Sequence, residues 1–133
     1  MKKYFNILLL TLLTATALLS CSKFPLDEND MLITSRPDCY MTNFDILGSD
    51  HRTVLASKAV IDTTLQTVNA IVVYGTNLKN LKPFCSLATD ASLTPSMGVW
   101  TDFSDLSTPK EYTVISGNKK NRKTYKIYVS VQQ

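Results

Sequence analysis

Positions 123–131 read Lys-Thr-Tyr-Lys-Ile-Tyr-Val-Ser-Val, and this stretch decides the fold class. One set of alternate positions holds only aromatic and aliphatic side chains, namely Tyr125, Ile127, Val129 and Val131. A period of two residues is typical of a β-strand that buries one face and exposes the other. The stretch therefore predicts a half-buried strand with those four side chains turned toward the core.

Seven further runs of β-branched and aromatic residues precede this strand, and turn-forming residues separate them. The runs are residues 31–35, 39–47, 52–56, 58–62, 65–74, 84–89 and 111–116. Residues 91–105 contain Pro95, Gly98 and several Ser, Thr and Asp residues, which predicts a loop-rich connection. We find no helical period after residue 20, and the number and spacing of the runs predict an all-β sandwich of about seven strands.

Alternation also predicts which side chains of two runs face the core. In residues 39–47 it places Tyr40, Thr42, Phe44 and Ile46 on one face, provided that no bulge intervenes. Residues 71–73 are apolar on both faces, which predicts a strand that enters the covered centre of a sheet.

The first 20 residues have the three parts of an export signal. Lys2 and Lys3 give a positive start, residues 7–19 are mainly apolar, and the small Ser20 precedes Cys21. A transmembrane helix needs about 20 apolar residues, so this run has the length of a signal peptide instead. The end of the run, Leu-Leu-Ser-Cys, resembles the bacterial lipoprotein signal. That resemblance implies cleavage before Cys21 and a lipid on its thiol.

The predicted organisation is therefore a signal peptide (1–20), a lipidated tether (21–30) and a β-sandwich domain (31–133). Of the 14 basic residues two leave with the signal, so 12 basic residues face 11 acidic ones in the mature chain. This balance is not that of a protein that binds nucleic acid. No phosphate loop, metal-binding motif or cofactor motif is present, and we expect no cofactor.

Two cysteines, Cys39 and Cys85, remain after the predicted lipid site is set aside. An exported protein encounters conditions that permit a disulfide. Alternation places Cys39 on the face opposite to Phe44 and Ile46, however, and a bridge needs Cα atoms within about 7 Å. We therefore predict two free thiols.

Several short pieces of the sequence occur together in a characteristic order. They are residues 81–83 (Leu-Lys-Pro), 94–95 (Thr-Pro), Gly98, 102–104 (Asp-Phe-Ser), 112–114 (Tyr-Thr-Val) and 125–129. Over residues 39–131 the chain resembles the immunoglobulin-like domains of unknown function found in Bacteroidetes lipoproteins, which often accompany glycan-utilisation proteins. The resemblance implies an immunoglobulin-like β-sandwich, anchored by lipid at the outer membrane on its periplasmic or its surface side. It supplies no catalytic residues.

Trp100 is the single tryptophan and lies in the loop-rich segment. Large aromatic side chains are usually buried, which favours a place in the core. On an exposed loop, the same ring could stack on a sugar. If the protein binds glycan in this way, we expect Trp100, Tyr112 and Tyr128 to line one exposed surface.

Other side chains offer weaker chemistry. His51 is the single histidine and follows turn-forming residues, so we place it in a surface turn and predict no metal site. Asp102 and Asp105 could form the acid pair of a glycosidase, but Asp102 fits better as a hydrogen-bond acceptor within its own turn. Residues 62–64 (Asp-Thr-Thr) match the triplet at which Bacteroidetes attach O-glycans, which makes Thr63 a candidate site.

Three functions remain open at this point. A non-catalytic module that binds a glycan or an envelope protein predicts an exposed aromatic platform. A structural subunit predicts an open edge strand that pairs with another chain. A small hydrolase predicts a cleft with converging acids. The lipoprotein signal and the resemblance favour the first, with the membrane as a partner through Cys21.

Overall fold

The computed structural model describes residues 24–133, so the predicted signal peptide and lipid site lie outside the described residues. The chain divides into two compact units, one that ends at Leu32 and one that spans Ile33–Gln133. In the first unit, Leu26 and Leu32 form an isolated antiparallel bridge. Within the described part no helix has the length and hydropathy needed to cross a membrane.

The second unit consists of seven strands in two sheets, which confirms the predicted all-β sandwich. The strands are β1 (Met41–Leu47), β2 (Val60–Asp62), β3 (Thr67–Val72), β4 (Lys82–Leu87), β5 (Ser92–Thr94), β6 (Lys110–Ile115) and β7 (Arg122–Val131). β1 and β4 form a two-stranded antiparallel sheet, and the other five strands form a sheet in the order β2-β3-β7-β6-β5. β3 runs parallel to β7, whereas the remaining pairs are antiparallel.

β7 lies at the centre of the larger sheet, as its alternation requires. Tyr125, Ile127 and Val129 are buried and the residues between them are exposed, so the predicted inward face is confirmed. The Tyr125 hydroxyl accepts a hydrogen bond from the backbone N–H of Met41 in β1 (3.3 Å). β7 thus contributes both apolar packing and a polar contact to the opposing sheet.

A β-bulge in β1 changes the predicted alternation of that strand. The register with β4 shifts between Met41 and Asn43, which adds one residue on the β1 side. A bulge moves the following side chains to the other face. Met41 before it and Phe44 after it are therefore both buried, while Tyr40 and Thr42 are exposed, so the prediction that Tyr40 and Thr42 share the face of Phe44 is wrong.

Three segments differ from the secondary structure that the sequence predicts for them. Residues 31–35 are not a strand; Thr34 donates its N–H to the Gly117 carbonyl at the β6–β7 turn instead (2.9 Å). Residues 52–56 form two isolated bridges, Leu47 with Thr53 and Leu55 with Val72, and so join β1 to β3. The connection 91–105 contains the short strand β5, which completes one edge of the larger sheet.

The outer face of β3 also differs from its prediction. Val68, Ala70 and Val72 point into the core, but Ile71 and Val73 are exposed. Asn69, between Val68 and Ala70, is exposed on the same side as Ile71 and Val73. The apolar run at 71–73 therefore does not mark a strand covered on both faces.

Both sheets contribute side chains to one core. The largest fully buried ones include Tyr125, Phe44, Met41, Ile46 and Leu81. Cys39 is buried with them and its thiol donates to the Val114 carbonyl (3.0 Å). Cys39 and Cys85 are free thiols, as predicted, although the bulge turns Cys39 inward and so removes the reason given for that prediction.

Candidate ligand-binding face

The three aromatic residues expected on one surface lie in three different places. Tyr112, in β6, points into the core and is only 5% exposed. Burial raises the pKa of its phenol, and a hydrogen bond with the Thr101 side chain partly offsets the rise. Tyr128 is 41% exposed on the outer face of the larger sheet, beside Asn69 of β3. The expected common surface is therefore wrong, and Tyr112 is not accessible to a ligand.

Trp100 lies on the opposite side of the sandwich, on the outer face of the β1–β4 sheet. Leu81 and Thr101 exchange two backbone hydrogen bonds (3.1 and 2.7 Å), which extends the pairing beside the start of β4. Gly98 adds a bond from its N–H to the Pro83 carbonyl (2.8 Å). Leu81 and Pro83 point inward. Because Thr101 pairs with Leu81, the neighbouring Trp100 faces outward, and its side chain is 44% exposed. The prediction that favoured a core position for this side chain is wrong.

Two side chains from other segments contact the Trp100 ring. The Lys82 ammonium lies over it, 4.9 Å from the ring centroid, at a distance typical of a cation–π interaction. The His51 ring lies 5.6 Å from the Trp100 ring, centroid to centroid, with a tilt of 54° between the planes. Such tilted aromatic pairs contribute about 0.5–1.5 kcal/mol beyond the burial of their area. These contacts hold an exposed ring in a defined orientation.

His51 reaches Trp100 because the turn after β1 folds back tightly. The Gly48 N–H donates to the Arg52 carbonyl (2.9 Å) and the His51 N–H donates to the Gly48 carbonyl (3.0 Å). His51 itself has a positive φ of 60°, a conformation that few residues other than glycine adopt. The surface turn predicted for His51 is confirmed, but its aromatic contact was missed, since no local pattern relates positions 51 and 100.

Phe84 extends the aromatic surface along β4. Its side chain is exposed and lies against Gly98, where an added Cβ would be 3.3 Å from the Phe84 ring. Gly98 has a φ of +86°, so this position favours glycine for its backbone as well as for its close approach to the Phe84 ring.

We call the surface formed by His51, Lys82, Phe84 and Trp100 the Trp100 face. It combines exposed aromatic rings with polar groups that can bond to hydroxyls.

The acid pair considered from the sequence does not form a catalytic arrangement. Asp102 accepts hydrogen bonds from the N–H and hydroxyl of Ser104 (2.8 and 2.6 Å), and Asp105 accepts the same two bonds from Ser107 (3.0 and 2.5 Å). These bonds lower the pKa of both carboxyls. A glycosidase needs one acid with a raised pKa. The turn role predicted for Asp102 is confirmed.

The structure also bears on metal binding and on the surroundings of Thr63. Within residues 24–133 no group of three His, Cys, Asp or Glu side chains is placed to hold a metal ion. Thr63 is exposed in the β2–β3 turn, where the Asp62 carboxylate accepts N–H bonds from Thr64 and Leu65 (2.8 Å each). Glycosylation of Thr63 stays a prediction.

A family model described as "SGBP, N-terminal" matches residues 43–129 of the chain. No curated protein matches the chain. Among solved structures, a candidate glycoside hydrolase from Bacteroides thetaiotaomicron shares the fold with a TM-score of 0.58 and 21% sequence identity. The alignment covers 75% of this chain but only 27% of that one, so the chain spans about a quarter of the longer protein.

Two further structures give the same result for the fold. A candidate secreted protein from Bacteroides fragilis aligns with a TM-score of 0.52 and 16% identity, over 72% of this chain and 97% of that one. A DUF4623 family protein from Bacteroides eggerthii aligns with a TM-score of 0.53 and 17% identity, over 72% of this chain and 22% of that one. At these identities the likeness concerns the fold alone.

Proposed function

We propose that this chain, which belongs to the SGBP N-terminal family, is a non-catalytic glycan-binding module that a lipid on Cys21 holds at the outer membrane. Membership of the family confirms the resemblance to Bacteroidetes modules associated with glycan utilisation. The single observation that carries the binding proposal is the exposed Trp100 ring held between His51 and Lys82.

The Trp100 face has the chemistry that a sugar requires. One side of a sugar ring presents C–H groups that pack on an aromatic surface, while its hydroxyls need donors and acceptors nearby. Covering roughly 40–80 Å² of apolar surface contributes about 1–2 kcal/mol. Because Lys82 and His51 already hold the Trp100 ring in place, little conformational entropy is lost on binding.

The hydrogen bonds and the lowered pKa values of two aspartates support binding without catalysis. Asp102 and Asp105 are each engaged by the serine two residues further on, and their lowered pKa values keep both ionised at neutral pH. A hydrolase would need one of them protonated as a general acid. The structural neighbour from Bacteroides thetaiotaomicron is described as a candidate hydrolase, but this chain corresponds to only 27% of it.

The edges of the larger sheet favour binding over assembly by strand pairing. β2 and β5, which form those edges, are three residues long each. Short edge strands offer few backbone groups to another chain and are a common protection against edge-to-edge pairing. A structural subunit that joins its partner along this sheet is therefore the weaker alternative.

The anchor part of the proposal depends on the sequence. The Leu-Leu-Ser-Cys end of the apolar run supports lipidation at Cys21, and several acyl chains bind a bilayer more stably than one. Export agrees with the description of the Bacteroides fragilis neighbour as a candidate secreted protein. The periplasmic and the surface side of the outer membrane are both compatible with this proposal.

Replacing one exposed aromatic on each side of the sandwich tests the binding site. We expect Trp100→Ala to weaken binding to any glycan identified on an array by about five- to thirtyfold, which corresponds to the loss of about 1–2 kcal/mol. Tyr128→Ala removes a similarly exposed ring from the opposite face and serves as the matched control. Calorimetry of the mature protein in detergent gives the affinities, and circular dichroism checks that both variants fold.

Equal affinity of Trp100→Ala and wild type would contradict the assignment of the Trp100 face. A loss confined to Tyr128→Ala would transfer the site to the outer face of the larger sheet. If no glycan on the array binds the wild type, the proposed function is wrong.

A further inference from the structure

A groove of about 320 Å³ opens on the side of β1 that does not pair with β4. Asn43, Phe44, Asp45, Thr53, Leu55, Ser57 and Lys58 line it. Five of these seven side chains carry amide, carboxylate, hydroxyl or ammonium groups. The volume lies at the lower end of the range found for small-molecule sites, which is about 300–1,000 Å³.

Asp45 is held so that it can accept a ligand hydroxyl. Its Oδ1 accepts hydrogen bonds from the Thr53 hydroxyl (2.6 Å) and from the Ile46 N–H (2.8 Å). Both bonds fix the orientation of the carboxylate, and within residues 24–133 no hydrogen bond engages its second oxygen. The exposed Ser57 and Lys58 also line the groove and supply hydrogen-bond donors.

The groove and the Trp100 face belong to one continuous row across the small sheet. Thr53 forms a bridge with Leu47, and Leu47 pairs with Lys82 of β4. Lys82 in turn contacts the Trp100 ring. Neighbouring strands are about 4.8 Å apart, so the three steps from Thr53 to the Trp100 segment span about 14 Å. A single sugar ring is too short for this distance, whereas a short oligosaccharide can cover it.

We propose that the groove is a second glycan subsite, and that the ligand is an oligosaccharide of three or more units lying across β1 and β4. One unit stacks on Trp100, and another places its hydroxyls against Asp45, Ser57 and Lys58. The inference rests on the proposed function, because the Trp100 face anchors one end of the same ligand. Beyond the proposed function, the second subsite specifies the length of the bound glycan and the direction in which it crosses the strands.

A length series of glycans tests the second subsite separately from the first. Calorimetry on the mature protein in detergent would use malto- and cello-oligosaccharides from the disaccharide to the hexasaccharide. We expect Lys58→Ala to weaken binding of the hexasaccharide about tenfold, as the loss of a charge-assisted hydrogen bond implies, and to leave disaccharide binding unchanged. Lys120→Ala, an exposed lysine of the β6–β7 turn, is the matched control.

The outcomes distinguish the two proposals. If Trp100→Ala weakens every length while Lys58→Ala and Ser57→Ala change none, the second subsite is overturned and the proposed function stands. Affinity that does not rise between the disaccharide and the hexasaccharide also overturns it. If Trp100→Ala has no effect, the assignment of the Trp100 face and the second subsite are both overturned. If neither glycan series binds, the second subsite is overturned, whereas the proposed function fails only when no glycan on the array binds.

Discussion

Gly117 is the glycine whose replacement by alanine we expect to cost the most stability. It lies in the β6–β7 turn, where it is buried against residues 33–37 and the loop at Asp90. A Cβ added at Gly117 would overlap the Thr34 hydroxyl and would lie 2.8 Å from the Asp90 Cβ and 3.2 Å from the Asp90 carbonyl oxygen. Two of these three atoms belong to parts of Asp90 that cannot rotate away.

The cost of Gly117→Ala follows from this overlap. Overpacking by one methyl group costs typically 1–3 kcal/mol, and the fixed neighbours place this case at about 2–3 kcal/mol. For a domain of about 100 residues, 1 kcal/mol changes Tm by about 4–8 °C, so we expect Tm to fall by about 10–20 °C. Thermal unfolding followed by circular dichroism measures the change.

Gly75→Ala is the control for this prediction. Gly75 has a φ of +83° with no atom within 4 Å of its added Cβ, so its replacement costs backbone strain alone, about 1–2 kcal/mol. The double variant Thr34→Ala/Gly117→Ala removes one overlapping atom and should recover about 0.5 kcal/mol or more. A Tm for Gly117→Ala no lower than that for Gly75→Ala, together with no recovery in the double variant, would refute the steric argument.

Two further predictions concern the cysteines. Cys21→Ala should move the protein from the detergent phase to the aqueous phase and leave it without the mass of the lipid; unchanged partitioning and mass would contradict the anchor. Burial raises the pKa of the Cys85 thiol to about 11, so iodoacetamide at pH 8 should modify it far more slowly in the native state than in urea, and the native rate should rise as the pH approaches 11. Native and unfolded rates that agree at pH 8, measured by mass spectrometry, would contradict its burial.

The inward face of β7 was predictable because alternation is a local property. Each of Tyr125, Ile127 and Val129 follows its neighbour by two residues, and all three are buried as expected. The alternation of β1 was not predictable beyond Met41, because a single extra residue in a bulge reverses the orientation of every side chain that follows. Nothing in the local sequence marks the position of that bulge.

The candidate site was predictable only in part, for a related reason. Trp100 was identified as a residue that could stack on a sugar, but its usual preference for burial pointed to the core. Its exposure results from backbone bonds that pair Thr101 with Leu81 and so turn Trp100 outward. The contacts with His51 and Lys82 come from two other segments, and local pattern does not reveal them.

The sequence by itself determined the all-β class, the approximate number of strands and the buried face of the last strand, because strand periodicity and turn residues act over a few neighbouring positions. The tertiary structure decided which aromatic side chains are accessible and which polar groups surround them. It placed Tyr112 in the core, Tyr128 on one outer face and Trp100 on the other. The physical reason is that a surface is assembled from strand pairing, register and the course of loops, and these depend on contacts between residues that are far apart in the chain.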